Sequence, residues 1–186
     1  MASASPRRAE LMVQAGWPFS VQPVDIEEGL GDGPIQAAVA ELALRKARAC
    51  RAEKGLVVGA DTVVVLDGQV LGKPVSSQEA REMLGALSGR EHRVITGVAV
   101  LNADTGEELA ESEETAVRFR NLTVAEIDAY VHSGEPMDKA GAYGIQGKGA
   151  LLVEGITGCY FNVVGLPLSR LARMLQTAGF PDTYKF

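Results

Sequence analysis

Residues 56–66 read Leu-Val-Val-Gly-Ala-Asp-Thr-Val-Val-Val-Leu, an apolar, β-branched run broken by a single carboxylate. Such a run predicts a buried strand, because branched side chains fit a pleated surface and a continuous apolar stretch needs cover on both faces. Asp67-Gly68 follows at once and is suited to a two-residue hairpin turn, so the chain should return through Gln69 to Leu71 and carry Gly72-Lys73-Pro74 back toward Asp61. Asp61 is the energetic anomaly. An ionised group in such a run is costly unless it is paired, hydrogen-bonded or bound to metal, so the strand should open onto a site there. A structural Asp satisfied at a turn is the competing reading.

Helical and strand patterns alternate along the rest of the chain. A first helix from Pro6 to about Ala15 stops at Gly16, with Pro18 beyond it. Phe19 to Ile26 alternates as a strand would, and Ile35 to about Lys54 has helical spacing with Val39, Leu42, Ala43 and Lys46 near one face. Ser76 with Glu79 opens a helix to about Leu87, and Thr123 with Glu126 opens another to about His132. Val94–Leu101 and Glu114–Phe119 read as strands around a polar hairpin, and Leu168–Thr177 as an amphipathic helix. Interspersed helices and strands predict an α/β (mixed α+β) domain with a central mixed sheet. The 186 residues suffice for one domain or two small lobes.

Charge excludes some functions and suggests another. A net charge of -6 argues against sequence-independent binding to nucleic acid. Apolar stretches end well before the ~20 residues that span a bilayer, and no signal peptide is evident, so a cytoplasmic location is expected. Cys50 and Cys159 read as buried thiols, and His92 and His132 as structural histidines. Arg7, Arg8, Lys73, Lys139 and Lys148 nevertheless recur beside Gly and Pro, as a small polyanionic ligand would require. Carboxylates such as Glu27, Glu28 and Asp61 could hold a divalent ion that screens it.

The amino terminus fits that picture. Ser5 is placed as an N-cap whose oxygen accepts from the N3 amide, Pro6 as N1, and Arg7 and Arg8 fall in the first turn, where the helix dipole already attracts anions. Free N–H groups with two guanidinium forks suit a phosphate chain; a solvated basic turn is the alternative. Lys46 beside an apolar stripe reads on pattern alone as a snorkelling lysine whose stem covers the core edge, with a ligand contact as the alternative. Gly68–Pro74 is not a P-loop, being one residue short and having Pro where Ser or Thr should hold magnesium. Residues 134–150 form a glycine-rich loop in which Asp138, Lys139, Tyr143 and Gln146 supply polar contacts.

Read in order, Ser3-Ala-Ser-Pro-Arg-Arg8, Gly59-Ala-Asp-Thr62, Gly72-Lys-Pro74, Leu87-Ser-Gly89, Thr96-Gly-Val98, Asp138-Lys-Ala-Gly-Ala-Tyr-Gly-Ile-Gln-Gly147 and Asn162-Val-Val-Gly-Leu-Pro167 resemble the Maf family of nucleoside triphosphate pyrophosphatases over essentially the whole chain. The resemblance implies a twisted sheet with flanking helices in a single two-lobed domain, related to inosine triphosphate pyrophosphatases, with the site in a cleft between the lobes. It further implies metal-dependent cleavage of a nucleoside triphosphate to monophosphate and pyrophosphate, and a homodimer. Carried over by motif, Asp61 is the proton acceptor, and Arg7, Thr62 and Gln146 match the branch that prefers dTTP and UTP. Two departures stand out: only Met1 and Ala2 precede the first Ser, where an apolar strand is usual, and Cys159 stands where a small polar residue is expected.

On this reading Asp61, assisted by Glu28, holds Mg²⁺ or Mn²⁺ and activates water. Ser5, Arg7, Arg8, Lys46, Lys73, Asp138 and Lys139 contact substrate, with Thr62 and Gln146. The alternatives are a 7-methyl-GTP pyrophosphatase, or a nucleotide-binding regulator of septum formation with little turnover.

Overall fold

A computed structural model describes residues 1–180. In chain order the elements are α1 (Pro6–Gln14), α2 (Ile35–Ala49), β1 (Leu56–Leu66), β2 (Gln69–Leu71), α3 (Ser77–Leu87), β3 (Glu91–Asn102), β4 (Glu108–Phe119), α4 (Val124–His132), β5 (Val153–Thr157), α5 (Tyr160–Val164) and α6 (Leu168–Thr177). Three 3-10 turns lie between α4 and β5, at Glu135–Asp138, Ala140–Ala142 and Gly147–Leu152. The strands pair in the order β2-β1-β3-β4-β5, and the β1–β2 and β4–β5 pairs are antiparallel. Among the described residues no helix is long and apolar enough to cross a membrane.

The chain divides into two compact units. The first is Met1–Asp61, Thr96–Glu113 and the described part of Gly165–Phe186; the second is Thr62–Ile95 and Glu114–Val164.

In the first unit, α2 lies directly on the strands. A Cβ added at Gly59 of β1 would stand 2.1 Å from the Ala43 carbonyl oxygen, and one at Gly97 of β3 would stand 2.1 Å from that of Val39. Nothing larger than hydrogen fits, and the atoms in the way are backbone, which cannot rotate aside. Small residues complete the seam: Ala2, Ala43, Ala47 and Ala99 pack with Leu44, Cys50 and Val57. The helical repeat that buries Val39, Leu42 and Ala43 also carries Lys46 inward, leaving it 7% exposed.

The start of the chain joins this unit. Ala2 N–H donates to Val58 O at 2.8 Å, and Ala2 forms a parallel bridge with Gly59. The strand expected over Phe19–Ile26 does not form. Gln22 N–H donates to Met1 O, but the segment is largely exposed and Pro23 offers no donor to extend a ladder. The helix expected to reach Lys54 ends at Ala49. Ser5 sits at the N-cap with extended backbone, yet its side chain makes no cap hydrogen bond. Its own N–H instead donates to Ser3 Oγ at 3.2 Å, so Ser3 braces the entry to α1.

In the second unit, β1 turns into β2 at Asp67 and Gly68, both with positive φ (51° and 80°), as a type I′ turn requires. Both Asp67 carboxylate oxygens accept from Arg90 Nη2. Ser76 caps α3 by accepting from Glu79 N–H, while the Glu79 carboxylate reaches back to Val75 N–H rather than to the cap residue itself. Thr123 and Glu126 form the complete reciprocal box at α4. The short β5 and α5 were not expected from sequence. They are tied by Thr115 Oγ1, which accepts from Cys159 N–H and donates to Cys159 O, and by Asn162 Nδ2, which donates to Val94 O and Thr115 Oγ1. The bonds at position 159 therefore come from the backbone, so Cys in place of a polar residue costs none of them.

At the centre of this unit His92, Phe119 and Tyr143 meet edge to face, with His92 Nε2 2.7 Å from the Tyr143 hydroxyl. His92 Nδ1 is buried without a hydrogen-bond partner. Burial pushes the ring's pKa down to about 4. Because this lies below the unfolded value of about 6.5, the stability gained by keeping the ring neutral is full above pH 6.5 and is lost as pH falls toward 4. Denaturant titrations should lose on the order of 3 kcal/mol over that interval, and His92→Phe should flatten that part of the profile.

Candidate active site

In the first unit a charged cluster is assembled around Lys46. Its Nζ donates to Asp61 Oδ1 and to Glu28 Oε1, each at 2.6 Å, so one ammonium bridges two carboxylates. Each member is held by a separate device. The close seating of α2 at Gly59 fixes how far Lys46 must reach to Asp61, two residues further along β1. Arg45, the neighbour of Lys46, donates from Nη1 to Glu27 O at 3.2 Å and from Nη2 to Gly29 O, clamping the backbone on either side of Glu28. The Asp61 side chain is 15% exposed and that of Glu28 57%, so the cluster is open to solvent on the Glu28 side.

Arg8 buttresses the same strand. Its Nη1 donates to Ala60 O at 2.8 Å and to Ser3 Oγ at 3.2 Å, and its Nε to Gly165 O at 2.8 Å. Burial draws its pKa below the usual value, while the Asp61 and Glu28 carboxylates pull the other way and the Arg7 charge adds to the lowering. The guanidinium thus fixes the carbonyl immediately before Asp61 as well as adding positive charge. Arg7 occupies the first turn of α1, partly buried.

The second unit holds the other expected residues. Thr62 is partly buried on β1. The β1–β2 ladder runs out at Val64 opposite Leu71, and the Gly72 carbonyl then accepts from Gly141 N–H at 2.9 Å. The hairpin end that carries the exposed Lys73 is thereby fastened to the glycine-rich loop. Within that loop Lys139 Nζ donates to Asp138 Oδ1 and to Glu135 O, each at 2.6 Å, and its aliphatic stem lies over Gly144. Gln146 is partly exposed, with extended backbone at the start of the 147–152 turn.

The structure brings Asp61, Glu28 and Lys46 into direct contact, with Arg8 against the residue before Asp61. Asp138, Lys139 and Gln146 share one loop, fastened to the strand end before Lys73. Sequence reasoning missed Arg45, Glu135 and Tyr130, and gave Ser3 no role beyond opening a motif. Of these only Glu135 had a local signal, as a carboxylate inside a glycine-rich loop.

The donor set bears on the expected metal. The Asp61 and Glu28 oxygens both converge on the Lys46 ammonium. Among the described residues no group of three His, Cys, Asp or Glu side chains forms a cage. Such a partial, all-oxygen set suits a hard divalent ion that keeps waters and takes its other ligands from phosphate.

A family model described as Maf-like protein matches residues 1–178. The dTTP/UTP pyrophosphatase of Symbiobacterium thermophilum is 54% identical over 185 residues, covering 97% of this chain and 94% of its own length. That of Moorella thermoacetica is 56% identical over 182 residues, covering 96% and 94%. That of Halalkalibacterium halodurans is 49% identical over 187 residues, covering 99% and 97%. Matched from its first residue through the end of α6, the chain belongs to the Maf-like protein family.

Proposed function

We propose that this chain hydrolyses dTTP and UTP to the nucleoside monophosphate and pyrophosphate. The relatives' names support the substrate class, and the observation that carries the chemistry is the Asp61–Lys46–Glu28 cluster, in which Asp61 interrupts an otherwise apolar strand. In this reading a water oxygen bonds to the α-phosphorus, Asp61 takes the proton, and the α–β anhydride bond breaks with pyrophosphate leaving. Lys46 keeps Asp61 aimed, because an ammonium at hydrogen-bond distance limits the carboxylate's rotation. Arg7, Arg8, Lys73 and Lys139 neutralise the charge that builds on the departing pyrophosphate, with Ser5, Thr62 and Asp138 supplying further polar contacts. Asp61 and Glu28 would hold Mg²⁺ or Mn²⁺, which when bound screens the triphosphate and lowers the pKa of a water ligand. Gln146 reads the base: its carboxamide can donate to a carbonyl and accept from an N–H on the pyrimidine edge.

The test is a substrate panel. Incubated with Mg²⁺ or Mn²⁺ and each of dTTP, UTP, CTP, GTP and 7-methyl-GTP, the protein should release pyrophosphate from dTTP and UTP above the rest. Release from 7-methyl-GTP alone would move the assignment to that substrate, and release from none would favour a binding regulator.

A further inference from the structure

The glycine-rich loop is built around a carboxylate that the reaction described above does not use. Glu135 Oε1 accepts from Gly149 N–H and from the Tyr130 hydroxyl, and Oε2 accepts from Lys148 N–H, all at 3.1 Å. Tyr130 closes the circuit, its hydroxyl oxygen accepting from Gly144 N–H at 3.3 Å. Both ends of the 144–149 segment are thus tied to one pair of side chains, and Gln146 stands between them.

The glycines exist to allow this wrapping. A Cβ at Gly147, where φ is +64°, would press on both Glu135 oxygens at 3.1 Å. One at Gly149 would stand 2.1 Å from Gly144 O and 2.7 Å from the Tyr130 hydroxyl. The loop is therefore closed on a fixed anionic post, with the bonds to charge that are the stronger kind.

A rigid post matters because of what a carboxamide is. Uracil offers a carbonyl and an N–H where cytosine offers an amino group and a bare ring nitrogen. A glutamine free to turn over could serve either edge, and it separates them only if its backbone is held so that one orientation meets the base.

We propose that Glu135, with Tyr130 as its companion, is the positioning residue for base recognition: it sets the backbone that presents Gln146, and so sets the preference for uracil and thymine over cytosine. The inference rests on the reading that Gln146 meets the pyrimidine. Glu135 touches neither substrate nor the reacting atoms in this scheme.

Steady-state kinetics of the full chain on UTP and CTP test it, for the wild type, Glu135→Gln, Tyr130→Phe and Gln146→Ala. Glu135→Gln keeps the shape but faces one backbone N–H with an amide NH₂. It should raise KM for UTP about tenfold and cut the UTP-over-CTP preference by about the same factor, with kcat within about twofold. Tyr130→Phe should move both quantities the same way by a smaller factor, and it supplies the readout if Glu135→Gln does not fold. Unchanged KM and preference in both variants, or a fall in kcat alone that tracks a lowered melting temperature, would overturn the proposal. A wild type that releases no pyrophosphate from UTP or dTTP would remove the functional reading and this inference with it. An active wild type whose preference survives Gln146→Ala would remove only the inference.

Discussion

Asp61→Asn is expected to slow pyrophosphate release from dTTP by about three orders of magnitude, while KM changes by no more than a few fold. The asymmetry follows from what the substitution removes. An amide oxygen can still accept from Lys46 Nζ, now 2.6 Å from Asp61 Oδ1, so the local packing has no reason to move. What it cannot do is take a proton from water. Melting temperatures should therefore match the wild type within a few degrees. A variant that turns over at a near-normal rate would take Asp61 out of the chemical step.

Lys46→Met is expected to damage both stability and turnover. The methionine fills the same space along the α2 seam but leaves Asp61 and Glu28 without the cation between them. Removing one partner of a buried ion pair costs about 3–5 kcal/mol; here solvent access through Glu28 argues for the lower end, about 3 kcal/mol, or roughly 10 °C in melting temperature. Activity should fall to background. Adding Asp61→Asn to Lys46→Met should restore most of the lost stability and none of the activity, because the cost is that of an uncompensated carboxylate. Additive losses in the double variant would mean that the two side chains are not coupled.

How much of this was legible in the sequence depended on how local each signal was. β1 and its hairpin were readable because a β-branched run and an Asp-Gly pair decide their own conformation. The caps at Ser76 and Thr123 were readable for the same reason. Ser5 shows the limit of that logic: residue type and dihedrals both suit an N-cap, yet its hydroxyl makes no cap bond and Ser3 takes up the Ser5 amide instead. Strand β5 is short, carries Gly155 at its middle, and takes its identity from pairing with β4 rather than from its own residues.

The candidate site was readable as an inventory and not as an arrangement. Periodicity placed Lys46 on the apolar stripe of α2, but whether its ammonium snorkels or pairs depends on a strand that follows later in the chain. Glu28 was named among the carboxylates that could hold a divalent ion; the strand expected just before it is absent, and what holds Glu28 in place is Arg45 gripping the carbonyls beside it. Arg8 was read as a phosphate clamp, and the structure adds that it braces Ala60 and Gly165. Glu135 escaped notice because its partners are mostly backbone amides, which no sequence motif announces.

The bare contact of α2 on Gly59 and Gly97 has one more implication. Where two side chains meet, a rotamer change can absorb a small displacement; where main chain meets main chain, no torsion is left to yield. The helix is thus keyed onto the strand like a gear with a missing tooth, and the gap between the Lys46 ammonium and the Asp61 carboxylate is gauged by the thickness of a peptide unit. Two hydrogen atoms, one on Gly59 and one on Gly97, serve as the spacers that calibrate it.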